Sequence, residues 1–182
     1  MRHVRFRKYL VAAACAVSTA SCANTAPADQ VWRCSTWNGF FDRFEMPVAP
    51  ETREFSGEMV FHKANFGRWA PIASVGFEDS SLDSAACKCN GIKAVVYNDH
   101  PDLIGIFLLI DGQEIDFGSV PYDKPVTFKF SYNYMNQAKL EVGTGIQYGM
   151  PYHAARDTLK LSCSSADVSF RNIKVRAGEP SW

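Results

Sequence analysis

Residues 126–134 read VTFKFSYNY and give the clearest indication of the fold. Polar side chains alternate along this stretch with apolar or aromatic ones. Successive side chains of a β-strand point to opposite faces of a sheet. The side chains of Phe128, Phe130, Tyr132 and Tyr134 therefore share one face, whose tyrosines either pack in the core or line a concave sheet. The stretch predicts a strand in an antiparallel, layered all-β protein.

A predicted hairpin precedes this strand. Residues 103–110 read LIGIFLLI and residues 113–117 read QEIDF, with Asp111-Gly112 between the two runs. Asp-Gly favours the positive φ angles that a two-residue hairpin turn requires. We therefore expect the two runs to pair as antiparallel strands.

Similar short runs, rich in β-branched and aromatic residues, recur along the chain at 31–37, 55–64, 69–77, 92–97, 139–142, 159–163 and 168–175. About ten short strands with turn-rich spacing and no long helical period predict an antiparallel two-sheet sandwich or jelly roll. Residues 38–52 are interpreted as a loop because they include Pro47 and Pro50. Residues 78–91 are interpreted as a second, polar loop.

The first 28 residues have the pattern of a secretory signal. Four cations lie within the first eight residues, an apolar run LVAAACAV follows at 10–17, and a small-residue stretch, Ala-Pro-Ala, ends at Ala28. The apolar run is too short for a permanent membrane-spanning helix. The sequence therefore predicts one exported domain over residues 29–182.

A second processing route remains open. Residues 19–22 read TASC and are similar to a bacterial lipobox, although Thr19 stands where Leu or Val is usual. In this alternative the leader is residues 1–21, Cys22 is lipidated, and residues 23–30 tether the domain to a membrane. The two routes predict a periplasmic or outer-membrane lipoprotein, or alternatively a secreted protein.

The charge balance argues against nucleic-acid binding. Four of the 19 Lys and Arg residues lie in the leader, which leaves 15 cations against 19 acids, a net charge of about −4. A nucleic-acid surface needs clustered cations to release phosphate counterions, and no run of Lys and Arg follows the leader. No later segment reaches about 18 consecutive apolar residues, so no internal membrane helix is expected.

Four cysteines follow the leader: Cys34, Cys87, Cys89 and Cys163. An even number of cysteines in an exported domain predicts two disulfides, for which three connectivities exist. A bridge between Cys87 and Cys89, which are separated by one residue, is strained. We therefore expect each of these two to pair with Cys34 or Cys163. The alternative is a metal or redox site at Cys87-Lys88-Cys89, for which nearby His ligands are lacking.

Three segments resemble the concanavalin A-like lectin and glucanase superfamily, which includes laminin-G-like jelly rolls: FSGEMVFHKANFG at 55–67, LIGIFLLIDGQEIDFGSV at 103–120, and ADVSFRNIKVR at 166–176. The resemblance covers residues 55–176 and its motifs are structural. It implies a jelly roll whose relatives bind or cleave glycans, while others bind proteins or lipids. It assigns no single family.

Two acidic residues in the predicted hairpin suggest catalysis. Glu114 and Asp116 lie two residues apart in a strand and share a face. A retaining glycosidase needs two carboxyl groups about 5–5.5 Å apart. The segment EIDFG is similar to the start of the laminarinase-type motif Glu-Ile-Asp-x-x-Glu, but Ser119 stands where the second glutamate is needed. The alternative interpretation is a hairpin with a solvated acidic face.

Aromatic residues in loops suggest ligand contacts. We expect Trp69, Tyr148 and Tyr152 to stack on sugar rings, and Arg156 to select a negative charge on the ligand. The alternative is that Trp69 is a core or rim residue and that the tyrosines cap the sandwich. A general-base role for His153 lacks a nucleophile at a recognisable spacing.

The oxygen-rich segment 98–102, NDHPD, allows a calcium site, although a proline-containing turn explains it equally. No other cofactor is expected. The leading hypothesis is an exported cell-envelope module that binds a glycan without catalysis. The alternatives are a glycoside hydrolase that uses Glu114 and Asp116, and a structural or assembly protein of the envelope.

Overall fold

The computed structural model describes residues 31–78, 89–151, 157–178 and Pro180. These residues form strands and turns and contain no helix, which confirms the predicted all-β class. In this part of the chain no helix is long and apolar enough to cross a membrane. Several predictions concern residues outside the described ranges, namely the leader with Cys22, the cysteine Cys87, and the loop residues Tyr152, His153 and Arg156.

Twelve strands are described, two more than the ten or so predicted from the sequence. They are β1 (Trp32–Ser35), β2 (Phe41–Pro47), β3 (Thr52–Ala64), β4 (Ile72–Glu78), β5 (Asn90–Tyr97), β6 (His100–Ile110), β7 (Gln113–Pro121), β8 (Val126–Tyr132), β9 (Ala138–Val142), β10 (Gly145–Gly149), β11 (Thr158–Ser164) and β12 (Ala166–Ala177).

The strands form two six-stranded antiparallel sheets, which confirms the predicted sandwich. Sheet 1 has the order β1-β12-β3-β8-β9-β10, and sheet 2 has the order β2-β11-β4-β5-β6-β7. The Asp111-Gly112 turn joins β6 to β7, with both residues at positive φ as the hairpin prediction requires.

The two strands missing from the sequence prediction are β2 and β10, and both are edge strands. Residues 38–52 were interpreted as a loop, but β2 pairs with β11 over its whole length. All but one of the β2 residues are exposed, so its sequence FDRFEMP lacks the alternation of a half-buried strand. Strand β10 follows a tight turn at Gly143, where φ is +58°.

The core lies between the sheets and is dominated by aromatic rings. Phe55 of sheet 1 packs edge-on against Phe77 of sheet 2, with ring centroids 4.9 Å apart, and stacks on Phe130 at 5.1 Å. Tyr132 packs edge-on against Phe130 at 4.9 Å. The predicted aromatic face of β8 is therefore confirmed at Phe128, Phe130 and Tyr132.

A disulfide between Cys34 and Cys163 links the two sheets, with the Cα atoms 6.1 Å apart. The expected pairing of these two residues with Cys87 and Cys89 is therefore wrong. The reason is topological, because β1 and β11 lie opposite each other in the facing sheets. Cys89 is buried just before β5, and Cys87 lies outside the described residues.

The sandwich has two ends that carry different loops. The first end holds the β1–β2 loop (36–40), the β3–β4 loop (65–71) and the β11–β12 turn, which hydrogen bonds join to one another. The second end holds the β6–β7 turn and the β8–β9 turn (133–137). Each surface feature below is placed relative to these two ends.

Candidate functional site

The outer face of sheet 2 carries a row of polar side chains. The cross-strand register aligns Ser162 of β11 with Ser74 of β4, and Ser74 with Lys93 of β5. Directly paired residues project from the same side of a sheet. Three strands that are distant in sequence therefore place two hydroxyl groups and one ammonium group next to each other.

This row lies in a groove of about 280 Å³, which we call the sheet 2 groove. It is lined by Phe41, Ile72, Ser74, Cys89, Lys93, Leu109, Gly112, Glu114, Lys160, Ser162, Cys163 and Ser164. Phe41, Ile72 and Ser164 border it toward the first end, and Gly112 borders it toward the second end. The volume lies just below the range of about 300–1,000 Å³ that is typical of ligand pockets, so the groove suits a small ligand.

Cross-strand contacts hold the polar groups of the groove in place. The Lys93 ammonium lies 2.6 Å from the Glu114 carboxylate, and the Lys160 ammonium lies 2.7 Å from that of Glu78. The hydroxyl oxygens of Ser74 and Ser162 are 2.6 Å apart. The groove therefore presents fixed donors and acceptors whose charges are balanced.

A pair of glycines lies in the row next to these residues. Gly76 and Gly91 face each other in the register of β4 and β5, in the row that also carries Lys160 and Leu109. A Cβ atom added at Gly91 would lie only 2.1 Å from the Val75 carbonyl oxygen. Only glycine fits this close approach of two backbones.

Glu114 and Asp116 lie on the outer face of sheet 2, as the hairpin prediction requires. Glu114 lines the groove, and Asp116 accepts a hydrogen bond from the Gly118 amide at 2.9 Å. The phenol of Tyr97 lies beside them. Burial raises its pKa first, and the negative charges of Glu114 and Asp116 raise it further. At neutral pH this phenol is therefore a proton-carrying hydrogen-bond donor.

Large aromatic rings are exposed at the first end. Trp37 is 78% exposed, Phe40 67%, Trp69 56% and Phe66 39%. We call these four residues the loop aromatic cluster. They lie in only two loops, β1–β2 and β3–β4. Exposed rings of this size grouped on one surface indicate a contact site for a ligand or partner.

The four ligand-binding residues predicted from the sequence are not all in one place. Trp69 lies at the first end, in the loop aromatic cluster. Tyr148 is half-exposed on β10, close to the second end, so it does not share a site with Trp69. Tyr152 and Arg156 lie outside the described residues, and their ligand roles stay predictions.

Four residues of these two regions were not predicted as site residues from the sequence, namely Trp37, Phe40, Lys93 and Ser162. For Trp37 and Phe40 a signal existed, because both flank Asn38-Gly39, a dipeptide typical of turns that expose their neighbours. For Lys93 and Ser162 the sequence holds no such signal, because only the strand register brings them together.

The predicted calcium segment, residues 98–102, spans the connection between β5 and β6 and the start of β6. Within the described ranges, no three His, Cys, Asp or Glu side chains gather where they could hold a metal ion. The calcium site therefore stays a prediction.

Comparison with known proteins identifies the fold. No protein-family model matches the chain, and no curated protein matches it in sequence. Its structure is similar to the carbohydrate-binding module CBM66 from Bacillus subtilis, with 12% identity, a TM-score of 0.50, and coverage of 80% of this chain and 86% of the module.

Enzymes share the same architecture. An alginate lyase from Alteromonas sp. 272 matches with 9% identity and a TM-score of 0.53 over 79% of this chain and 82% of the lyase. A native glycosidic hydrolase matches with 9% identity and a TM-score of 0.50 over 85% of this chain and 81% of the hydrolase. The chain therefore has the concanavalin A-like jelly-roll fold, as its sequence resemblance implied.

Proposed function

We propose that this protein is a carbohydrate-binding module and that the sheet 2 groove holds the sugar. The observation that carries the proposal is the polar row of Ser162, Ser74 and Lys93 in an open groove beside the exposed ring of Phe41. A jelly roll is also the architecture of a known carbohydrate-binding module.

The chemistry of the groove suits a hydroxyl-rich ligand. Each sugar hydroxyl both donates and accepts hydrogen bonds, so it is best met by mixed partners. The Lys93 ammonium donates, the Glu114 carboxylate accepts, and the Ser74 hydroxyl does both. Their cross-strand contacts fix these groups before the ligand arrives, which reduces the entropy cost of binding.

The charge balance of the groove favours a neutral sugar. Lys93 is paired with Glu114, and Lys160 is paired with Glu78. A polymer of uronic acids brings one carboxylate per ring and would meet two carboxylates here along with the two cations. We therefore propose neutral glycans as the ligand class.

Glycan cleavage is the second candidate, because Glu114 lines the groove and shares a face with Asp116. Three observations favour binding over cleavage. Glu114 is held by Lys93, Asp116 accepts a hydrogen bond from the Gly118 amide, and the raised pKa of Tyr97 keeps its phenol protonated at neutral pH. Glu114 and Asp116 therefore each already have a structural partner.

We also propose that the module acts outside the cytoplasm, as a periplasmic, secreted or lipid-anchored protein. The disulfide between Cys34 and Cys163 supports this location, because such bridges persist in oxidising compartments. The signal pattern of the first 28 residues supports it as well.

The test is binding to a panel of soluble polysaccharides, with laminarin, galactomannan, xylan and levan as neutral members and alginate and polygalacturonate as acidic ones. We expect retardation by at least one neutral member in affinity electrophoresis. Ser162→Trp fills the groove and should weaken binding by about tenfold or more, because the indole occupies the space of the sugar.

The matched control is Ser56→Trp, on the outer face of sheet 1, which should bind as the wild type does. Thermal unfolding of both variants checks that each is folded. Wild-type protein that binds no neutral polysaccharide, or Ser162→Trp that binds normally, would contradict the proposal. Release of reducing ends that disappears in Glu114→Gln would instead establish cleavage.

A further inference from the structure

The loop aromatic cluster is exposed, yet its two loops are tightly connected. The Asn38 side-chain amide donates hydrogen bonds to the carbonyl oxygens of Asn65, at 3.0 Å, and Trp69, at 3.2 Å. The Asn65 side-chain amide donates a hydrogen bond to the Thr36 carbonyl oxygen, at 2.7 Å. A Cβ atom at Gly67 would lie only 2.5 Å from the Asn38 side chain, so the loops are also closely packed.

The β11–β12 turn also forms hydrogen bonds with the β1–β2 loop. The Ser165 hydroxyl accepts a hydrogen bond from the Gly39 amide, and the Ser164 hydroxyl donates one to the Phe40 carbonyl, both at 3.0 Å. The indole of Trp69 lies against Gly39, where φ is +82°. The exposed rings are therefore held on a preorganised frame, which lowers the entropy cost of contact with a ligand.

The cluster is continuous with the sheet 2 groove. Phe41 lines the groove and directly follows Phe40 of the cluster. Ser164 lines the groove as well, and its hydroxyl bonds the Phe40 carbonyl. On the neighbouring strand, Ile72 borders the groove three residues after Trp69. A ligand that leaves the groove toward the first end therefore meets exposed aromatic rings.

A glycan fits this surface better than a membrane does. Arg68 lies 5.5 Å from the centre of the Trp69 ring and keeps a charge among the aromatic side chains. Sugar rings combine apolar C–H faces, which stack on aromatic rings, with hydroxyl groups that such a charge can contact.

Building on the proposed function, we infer that the ligand is a polymeric glycan that runs from the sheet 2 groove onto the loop aromatic cluster. The groove binds one short stretch of the polymer, and Trp37 and Trp69 stack on the next sugar rings. Affinity then depends on chain length, because short oligosaccharides fill the groove without reaching the cluster.

The experiment compares two-unit and six-unit oligosaccharides of laminarin, xylan, mannan and levan by isothermal titration calorimetry. We expect the wild type to bind the six-unit form of its preferred glycan about tenfold more tightly than the two-unit form. Trp37→Ala combined with Trp69→Ala should abolish this preference and leave two-unit binding unchanged. The control is Tyr134→Ala, which removes an exposed ring at the second end and should keep the preference.

The outcomes separate this inference from the proposed function. Glycan binding that Ser162→Trp abolishes but that shows no length preference would overturn the inference alone. Equal losses for both lengths in the double tryptophan variant would overturn it as well. No binding to any glycan would remove both proposals. Binding to phosphatidylglycerol vesicles that is lost in Trp37→Ala, without a glycan length preference, would assign the cluster to membranes.

Discussion

The outer faces of the two sheets have similar charge pairs but different shapes. Sheet 1 carries Lys129 paired with Glu54, and Lys139 paired with Glu141, both at 3.0 Å. Sheet 2 carries comparable Lys–Glu pairs at Lys93 and Lys160, but there they border a groove.

The difference lies in the small residues between the charged ones. On sheet 2, Gly76 and Gly91 are adjacent across β4 and β5, and the neighbouring row contains Ser74 and Ser162. On sheet 1, Gly57 faces inward, where an added Cβ atom would lie 2.5 Å from the Ile173 side chain. Cross-strand placement of small residues, rather than charge, thus distinguishes the proposed binding face from the outer face of sheet 1.

The largest effect is expected where the two sheets meet, because their inner faces form one common core. Phe55→Ala removes a fully buried ring that touches Phe77 of the other sheet and Phe130 of its own. We expect a loss of about 3–5 kcal/mol in the free energy of unfolding, from lost burial and the cavity left behind. Chemical denaturation measures it.

The matched control for this variant is Phe66→Ala, which removes the same ring from an exposed loop position. Its unfolding free energy should stay within about 0.5 kcal/mol of the wild type. Similar losses in the two variants would mean that the core does not depend on contact between the sheets at Phe55.

We expect a smaller effect on stability, but a difference in glycan binding, when matched lysines on the two outer faces are replaced. Lys93→Met removes the ammonium that lies in the sheet 2 groove, and Lys129→Met removes its counterpart on sheet 1. Each change breaks one partly exposed ion pair, so we expect unfolding free energies to change by no more than about 1 kcal/mol. Only Lys93→Met should weaken glycan binding, by about tenfold, because it removes a charged donor to the ligand.

Affinity electrophoresis on the neutral polysaccharide bound by the wild type checks this prediction. The double variant with Lys93→Met and Glu114→Gln tests whether the loss comes only from an unpaired carboxylate. If the double variant regains binding, the ammonium is not a ligand contact. Equal weakening by Lys129→Met would mean that the two faces do not differ in function.

The core of the fold could be predicted because its signals are local. The alternation in residues 126–134 predicted a strand with one aromatic face, and the turn preference of Asp111-Gly112 predicted a hairpin; the structure confirms both. Tyr134 was placed on that face by the same pattern, but β8 ends at Tyr132 and the Tyr134 ring is exposed. Alternation alone does not mark where a strand ends.

The groove could not be predicted because its signals are not local. Ser74, Lys93, Ser162 and Glu114 come from four different strands, and only the pairing register brings them together. Strand β2, which supplies Phe41, was itself missed because an exposed edge strand lacks a buried face. The residues of the proposed binding face can therefore be identified only once the order of the strands is known.

The smallest effect is expected for a sheet 1 pair that acts on stability alone. Arg33 of β1 forms two hydrogen bonds with Asp167 of β12, at 2.9 and 2.7 Å, far from the sheet 2 groove. These bonds lower the pKa of Asp167 below its ordinary value, against the opposing effect of partial burial.

The folded-state pKa of Asp167 lies below its unfolded value. As the solution is acidified, the unfolded chain therefore binds more protons than the folded chain does. The stabilisation is therefore complete above the ordinary aspartate pKa of about 4 and is lost as the pH falls through the lowered value. In Asp167→Asn, the unfolding midpoint should fall less steeply with acid than in the wild type. Asp123→Asn in the β7–β8 turn is the control and should keep the wild-type slope. Identical slopes for Asp167→Asn and the wild type would show that the pair contributes nothing to acid sensitivity. Weaker glycan binding by Asp167→Asn at neutral pH would contradict the assignment of binding to the sheet 2 groove and the loop aromatic cluster.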